Sequence, residues 1–104
     1  KMTTLEFGLS PETLSKIRNT FKKYAAIEKV LIYGSRAKGN YKSGSDIDLV
    51  IFSSSLSKQD LSKLEIELDD LLLPYTIDLS CFSDLNDQSF IEHIHRVGKL
   101  FYTG

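Results

Sequence analysis

Two aspartates one residue apart, Asp46 and Asp48, open a segment that continues Leu49-Val50-Ile51-Phe52. The apolar, β-branched run reads as a buried strand, in which residues i and i+2 share a face roughly 6.6 Å apart. Carboxylates so placed repel each other unless cations sit between them. A pair of Mg²⁺ ions about 4 Å apart is held by such oxygen ligands and clamps both the attacking and the leaving oxygen of an in-line displacement at phosphorus. Asp78 interrupts the apolar pattern of Tyr75 to Phe82 in mid-strand and supplies a third carboxylate if the two strands are neighbours. Upstream, Gly34-Ser35 closes a short apolar strand, Val30 to Tyr33, ahead of a second helix expected to begin at Ser35. Backbone N–H groups and a serine hydroxyl at such a junction suit the terminal phosphate of a nucleotide.

A P-loop is excluded, because Gly34 to Gly39 has the glycine spacing of G-x-x-x-x-G-K-[ST] but Asn40 stands where lysine is required. Three cations, Arg36, Lys38 and Lys42, fall in the loop beside the aspartates. Over the whole chain 13 basic residues face 14 acidic ones, for a net charge of -1. That balance argues against a grip on long nucleic acid, so any polyanion site is local and of nucleotide size.

The elements that must position these residues can be traced along the chain. At 104 residues the sequence fits a single domain, 1–104. No apolar stretch is long enough to span a bilayer, and the single cysteine, Cys81, cannot form an internal disulfide. With no secretory signal pattern, a cytoplasmic location is expected. Ser10-Pro11-Glu12 is a helix start, followed by Leu14, Ile17 and Phe21 at helical spacing. Asn40 to Ser45 is a polar turn before a strand from Asp46 to Phe52. Ser57 with Asp60 resembles a capping box, and Leu61, Leu64, Leu68, Leu71 and Leu72 mark one face of a third helix that Pro74 helps to stop. Tyr75 to Phe82 alternates as a strand. Phe90, Ile91, Ile94 and Val97 mark a last helix, with Gly98 as its C-cap before a short strand at Lys99 to Tyr102. Helices alternating with strands imply a two-layer α/β domain with one sheet covered largely on one side.

Three further residue sets read as structural. His93 and His95 are i and i+2 on a helix and diverge, unlike the i, i+4 spacing of helical zinc sites. Cys81 faces the opposite side of its strand from Asp78 and reads as an apolar filler. Tyr41 reads as a loop aromatic that covers local surface.

Taken together, Gly34-Ser35, Ala37, Gly39, Ser45-Asp46-x-Asp48-Leu49 and the later Asp78 closely resemble the minimal nucleotidyltransferases of the DNA polymerase β superfamily. The resemblance extends over nearly the whole chain. It implies the nucleotidyltransferase fold, an α/β (α+β) domain with a small mixed β-sheet covered by helices mainly on one face. It also implies transfer of a nucleoside monophosphate, AMP from ATP, to an acceptor hydroxyl with pyrophosphate leaving. In that chemistry Asp46 and Asp48 would ligate two Mg²⁺ ions, and Asp78 the ion that activates the acceptor. Gly34, Ser35 and Ser45 would bind the nucleotide, with Arg36 and Lys38 neutralising charge. The family often shows arginine where this chain has Lys38, which keeps the charge but loses the bidentate fork.

Members that act alone usually carry a second domain that presents the acceptor, and none is seen before Gly104. The resemblance therefore implies a separately encoded helical HEPN partner, adenylylated by this chain as the antitoxin of a two-component pair, with homo- or hetero-oligomers possible and no membrane role. The alternative is a nucleotide-binding protein that neutralises or regulates its helical partner by docking, without catalysis.

Overall fold

The computed structural model describes residues 5–104. The elements run α1 Pro11–Lys22, β1 Lys29–Tyr33, α2 Gly34–Lys38, β2 Ile47–Phe52, α3 Lys58–Asp69, β3 Ile77–Cys81, a 3₁₀ turn Phe82–Asp84, α4 Gln88–Val97 and β4 Lys99–Thr103. The strands form one mixed sheet in the order β3-β2-β1-β4. β1 pairs antiparallel with both β2 and β4, and β2 pairs parallel with β3. A parallel pair cannot be closed by a tight turn, and α3 supplies the crossover that returns the chain to the same end of the sheet.

The long helices start where local chemistry starts them. Ser10 caps α1 by accepting from the Thr13 amide, with Pro11 in the first turn. Ser57 caps α3 through the Asp60 amide, and Asp87 caps α4 through the amides of Ser89 and Phe90. The third helix is shorter than its leucine pattern. It ends at Asp69, so Leu71 and Leu72 lie in the following turn, where Leu72 has φ +55° and is 88% exposed. The last helix ends at Gly98 in an extended rather than a left-handed conformation, because β4 begins at the next residue.

Alternation along the strands sorts the side chains into two faces. Val30, Ile32, Ile47, Leu49 and Ile51 are fully buried on one face against Leu14, Ile17 and Phe21 of α1 and Leu64 and Leu68 of α3. Burying each such side chain contributes about 1.5–3 kcal/mol. Cover by α1 and α3 accords with a sheet protected mainly on one side. On the other face α4 packs Ile94 and Phe90 onto Tyr33, Val50 and Leu31. That second, smaller cluster stops short of the aspartates.

Candidate active site

Antiparallel pairing sets Tyr33 opposite Asp48, and parallel pairing sets Asp48 opposite Asp78. The three side chains therefore form one row across β1, β2 and β3 on the α4 face, since directly paired residues share a face. Gly34 follows Tyr33 and turns the chain into α2 with φ +72°, a conformation that favours glycine. A Cβ at this position would lie 2.3 Å from Asp48 Oδ2, so the missing side chain also makes room for the carboxylate. The glycine-serine turn and the aspartate strand are thus in direct contact.

Burial pushes the Asp48 carboxyl above its ordinary range, and the negative charges of Asp78 and then Asp46 push it further. Among the described residues the ion pairs are Arg18–Glu6 and Lys23–Glu67, and neither involves these acids. Asp46 lies just outside β2 and is exposed, as is Asp78, whereas Asp48 is half-buried between them. Strand pairing begins one residue later than the sequence suggests, because Asp46 has no ladder partner while the Ile47 amide bonds to the Thr76 carbonyl at 2.9 Å. Among the described residues, no three Asp, Glu, His or Cys side chains are close enough to cage a metal ion as they stand. Asp48 and Asp78 are paired in register, and the charge of Asp46, in the adjoining loop, is felt at Asp48. All-oxygen donors with uncompensated negative charge fit a hard divalent cation.

The nucleotide-binding expectations separate by position. Ser35 is half-buried beside Gly34, and Lys38 is exposed at the end of α2. Ser45 accepts from the Lys42 amide at 2.8 Å through its own hydroxyl, which closes the turn ahead of Asp46. Arg36 departs furthest from the expectation of a surface cation. Its side chain points inward, is 2% exposed, and donates to the carbonyls of Ser45, Phe7 and Ser43. A cation that satisfies backbone carbonyls in the interior is not presented to a phosphate chain in solvent.

Tyr33 is the residue that sequence reasoning passed over. It is 6% exposed, its ring meets Phe90 and His93 edge-on, and its hydroxyl contacts the Ser80 side chain. Burial raises the phenol above its ordinary pKa; the Ser80 contact opposes the rise, and the charges of Asp78 and Asp48 add to it. Its signal in the sequence was only its place ahead of Gly34. His93 and His95 go to different neighbours, Tyr33 and Phe82, as their helical spacing suggests. Tyr41 lies against Gly8 and beneath the Arg36 guanidinium, in the covering role expected of it. Cys81 packs with the α1–α3 core, away from the acids.

Comparison with solved structures places this arrangement among known folds. A chain of a toxin–antitoxin complex with AMP-PNP superposes with a TM-score of 0.70 at 18% identity, covering 88% of this chain and 73% of that one. A chain from tri-AMPylated Shewanella oneidensis HEPN toxin in complex with MNT antitoxin gives 0.65 at 16% identity, covering 89% and 71%. A chain of the toxin–antitoxin MntA–HepT gives 0.64 at 16%, covering 89% and 72%. No curated protein sequence matches the chain. The family profile described as polymerase beta, nucleotidyltransferase, matches residues 15–104, which takes in every strand and all three aspartates. By that match the chain belongs to the polymerase beta nucleotidyltransferase family.

Proposed function

We propose that this nucleotidyltransferase moves AMP from ATP to a hydroxyl on a separately encoded HEPN protein, in a Mg²⁺-dependent reaction, and so acts as the antitoxin of a pair. The observation that carries the reading is the Asp48–Asp78 pair held in register beside the Gly34 turn. Support for the partner comes from similar folds found in complexes described as a toxin–antitoxin with AMP-PNP and as an AMPylated HEPN toxin with its MNT antitoxin.

In this reading Gly34 and Ser35 hold the triphosphate tail by backbone N–H groups and a hydroxyl, with Lys38 as an exposed charge at the end of the same helix. Asp46, Asp48 and Asp78 would hold the divalent ions, which when bound would neutralise charge on the phosphates and make the acceptor hydroxyl more acidic. The acceptor oxygen forms a bond to the α-phosphorus as the bond from that phosphorus to the oxygen bridging to the β-phosphate breaks; the hydroxyl proton passes to solvent and pyrophosphate departs. Asp78, exposed on the edge strand β3, is the acid open to an incoming acceptor.

The test is incubation of the chain and its co-purifying partner with α-labelled or γ-labelled ATP in the presence of Mg²⁺. Label from the α position appears on the partner, and Asp48→Asn abolishes it. Transfer of γ label alone indicates kinase chemistry and rejects the proposal. Full neutralisation of the partner in cells by Asp48→Asn instead favours docking without catalysis.

A further inference from the structure

Arg36 occupies a position that nucleotide binding does not account for. It is among the largest fully buried side chains in the protein, and no carboxylate pairs with it among the described residues. Its charge is answered in another way. Nε donates to the Ser45 carbonyl at 3.0 Å, Nη1 to the Phe7 carbonyl at 2.9 Å and Nη2 to the Ser43 carbonyl at 3.2 Å. The guanidinium carbon also lies 5.3 Å from the centre of the Tyr41 ring and 4.9 Å from that of Tyr75.

These contacts join α2, the loop that ends at Asp46 and the segment that leads into β3. Arg36 itself is on α2, directly after Ser35. Ser43 and Ser45 are in the loop that ends at Asp46, and Tyr75 leads into β3 and Asp78. Phe7 lies in the short turn closed by the Glu6–Leu9 bridge. The loop has little else to hold it: the Ser45 hydroxyl and amide close a local turn on Lys42, and no helix or strand runs from Gly39 to Asp46. Three separate carbonyls met by one planar group, with rings beside it, need a fork of fixed geometry that a lysine ammonium does not provide.

We infer that Arg36 is a positioning residue: its buried guanidinium sets the loop carrying Asp46 against α2, and so fixes the spacing between the phosphate-holding turn and the metal-holding acids. The metal half of this inference rests on the reading of Asp46 and Asp48 as ion ligands; the loop half does not. Breaking the fork therefore loosens the loop and weakens cation binding, while affinity for nucleotide without metal stays unchanged.

The experiment uses the full chain, as wild type, Arg36→Lys and Tyr75→Leu. Backbone hydrogen exchange is followed in ion-free protein, Mn²⁺ binding by electron paramagnetic resonance, and metal-free ATP binding by calorimetry. Arg36→Lys speeds exchange of the Lys42 to Ile47 amides while β1 and α1 keep their protection. It also weakens Mn²⁺ binding by about tenfold, the scale of a lost outer-shell partner. Tyr75→Leu keeps an apolar side chain and gives a smaller change in the same direction; it decides the matter if Arg36→Lys does not fold. Unchanged exchange in a folded variant overturns the inference, as does a loss of metal-free ATP affinity with Mn²⁺ binding intact, which marks direct phosphate contact. A wild type that binds no Mn²⁺ defeats the metal reading of the site, and the exchange data still decide the role of Arg36 in the loop.

Discussion

The two faces of the sheet are built from the same strands and do opposite things. On β2, Ile47, Leu49 and Ile51 are fully buried against α1 and α3, while Asp48, between the first two, turns to the α4 side beside Asp78. The apolar face contributes stability by removing hydrocarbon from water, whereas the acidic face half-buries Asp48, whose pKa is raised by that burial and then by the charges of Asp78 and Asp46. A strand gripped from behind by a packed core cannot swing its acids apart. The apolar reverse side anchors the strand, and half-burying Asp48 beside two other acids is a cost to the fold.

Substitutions on each face break this contrast in different measurements. Leu49→Ala leaves a cavity in the α1–α3 core and destabilises the protein by about 2–5 kcal/mol, read by urea denaturation. Against a typical total of roughly 5–15 kcal/mol, that is the largest effect expected on the fold. Gly34→Ala follows, since it combines a left-handed backbone strain of about 1–2 kcal/mol with a collision against Asp48 Oδ2. Its transfer activity is lost together with part of its stability.

Asp48→Asn separates the faces. Nucleotidyl transfer falls by more than about 100-fold, beyond the cost of even an outer-shell metal partner, yet melting of the ion-free protein is unchanged or shifts upward as burial of a charge and its repulsion by Asp78 and Asp46 are relieved. A marked fall in melting temperature shows instead that the carboxylate supports the fold. The pH dependence sharpens the point. Because the Asp48 pKa is raised in the folded state, its contribution favours folding below the unfolded-state value and is lost as pH rises through the folded-state value. Ion-free wild type therefore gains stability relative to Asp48→Asn as pH falls from neutral toward the ordinary aspartate range, and added Mg²⁺ narrows the same gap at neutral pH. A gap that is flat with pH rejects this account. The smallest effect belongs to Lys38→Gln, which weakens ATP binding by under about 1 kcal/mol because an exposed lysine is well screened.

Much of the frame was legible from local chemistry. Ser10, Pro11 and Ser57 marked helix starts through caps that act within a few residues, and the alternation of Ile77, Leu79 and Cys81 against Asp78 and Ser80 recurs in the faces of β3. Local signals were less accurate at ends. Leu71 and Leu72 extended the helical spacing past the point where α3 stops, because spacing records side-chain type and not where the backbone turns. The same limit explains Arg36. From its neighbours it was a cation in a basic loop, and only folding brought the carbonyls of Phe7, Ser43 and Ser45 around it.

By itself, then, the sequence determined the kinds of element, the acids, the glycine-serine turn and the family they point to, since these depend on residue type and short spacing. The tertiary structure alone decided that Asp48 lies between Tyr33 and Asp78 and touches Gly34, and that Arg36 faces inward. Strand register and the burial of a charge are set by contacts between residues far apart in the chain, and no local pattern encodes them.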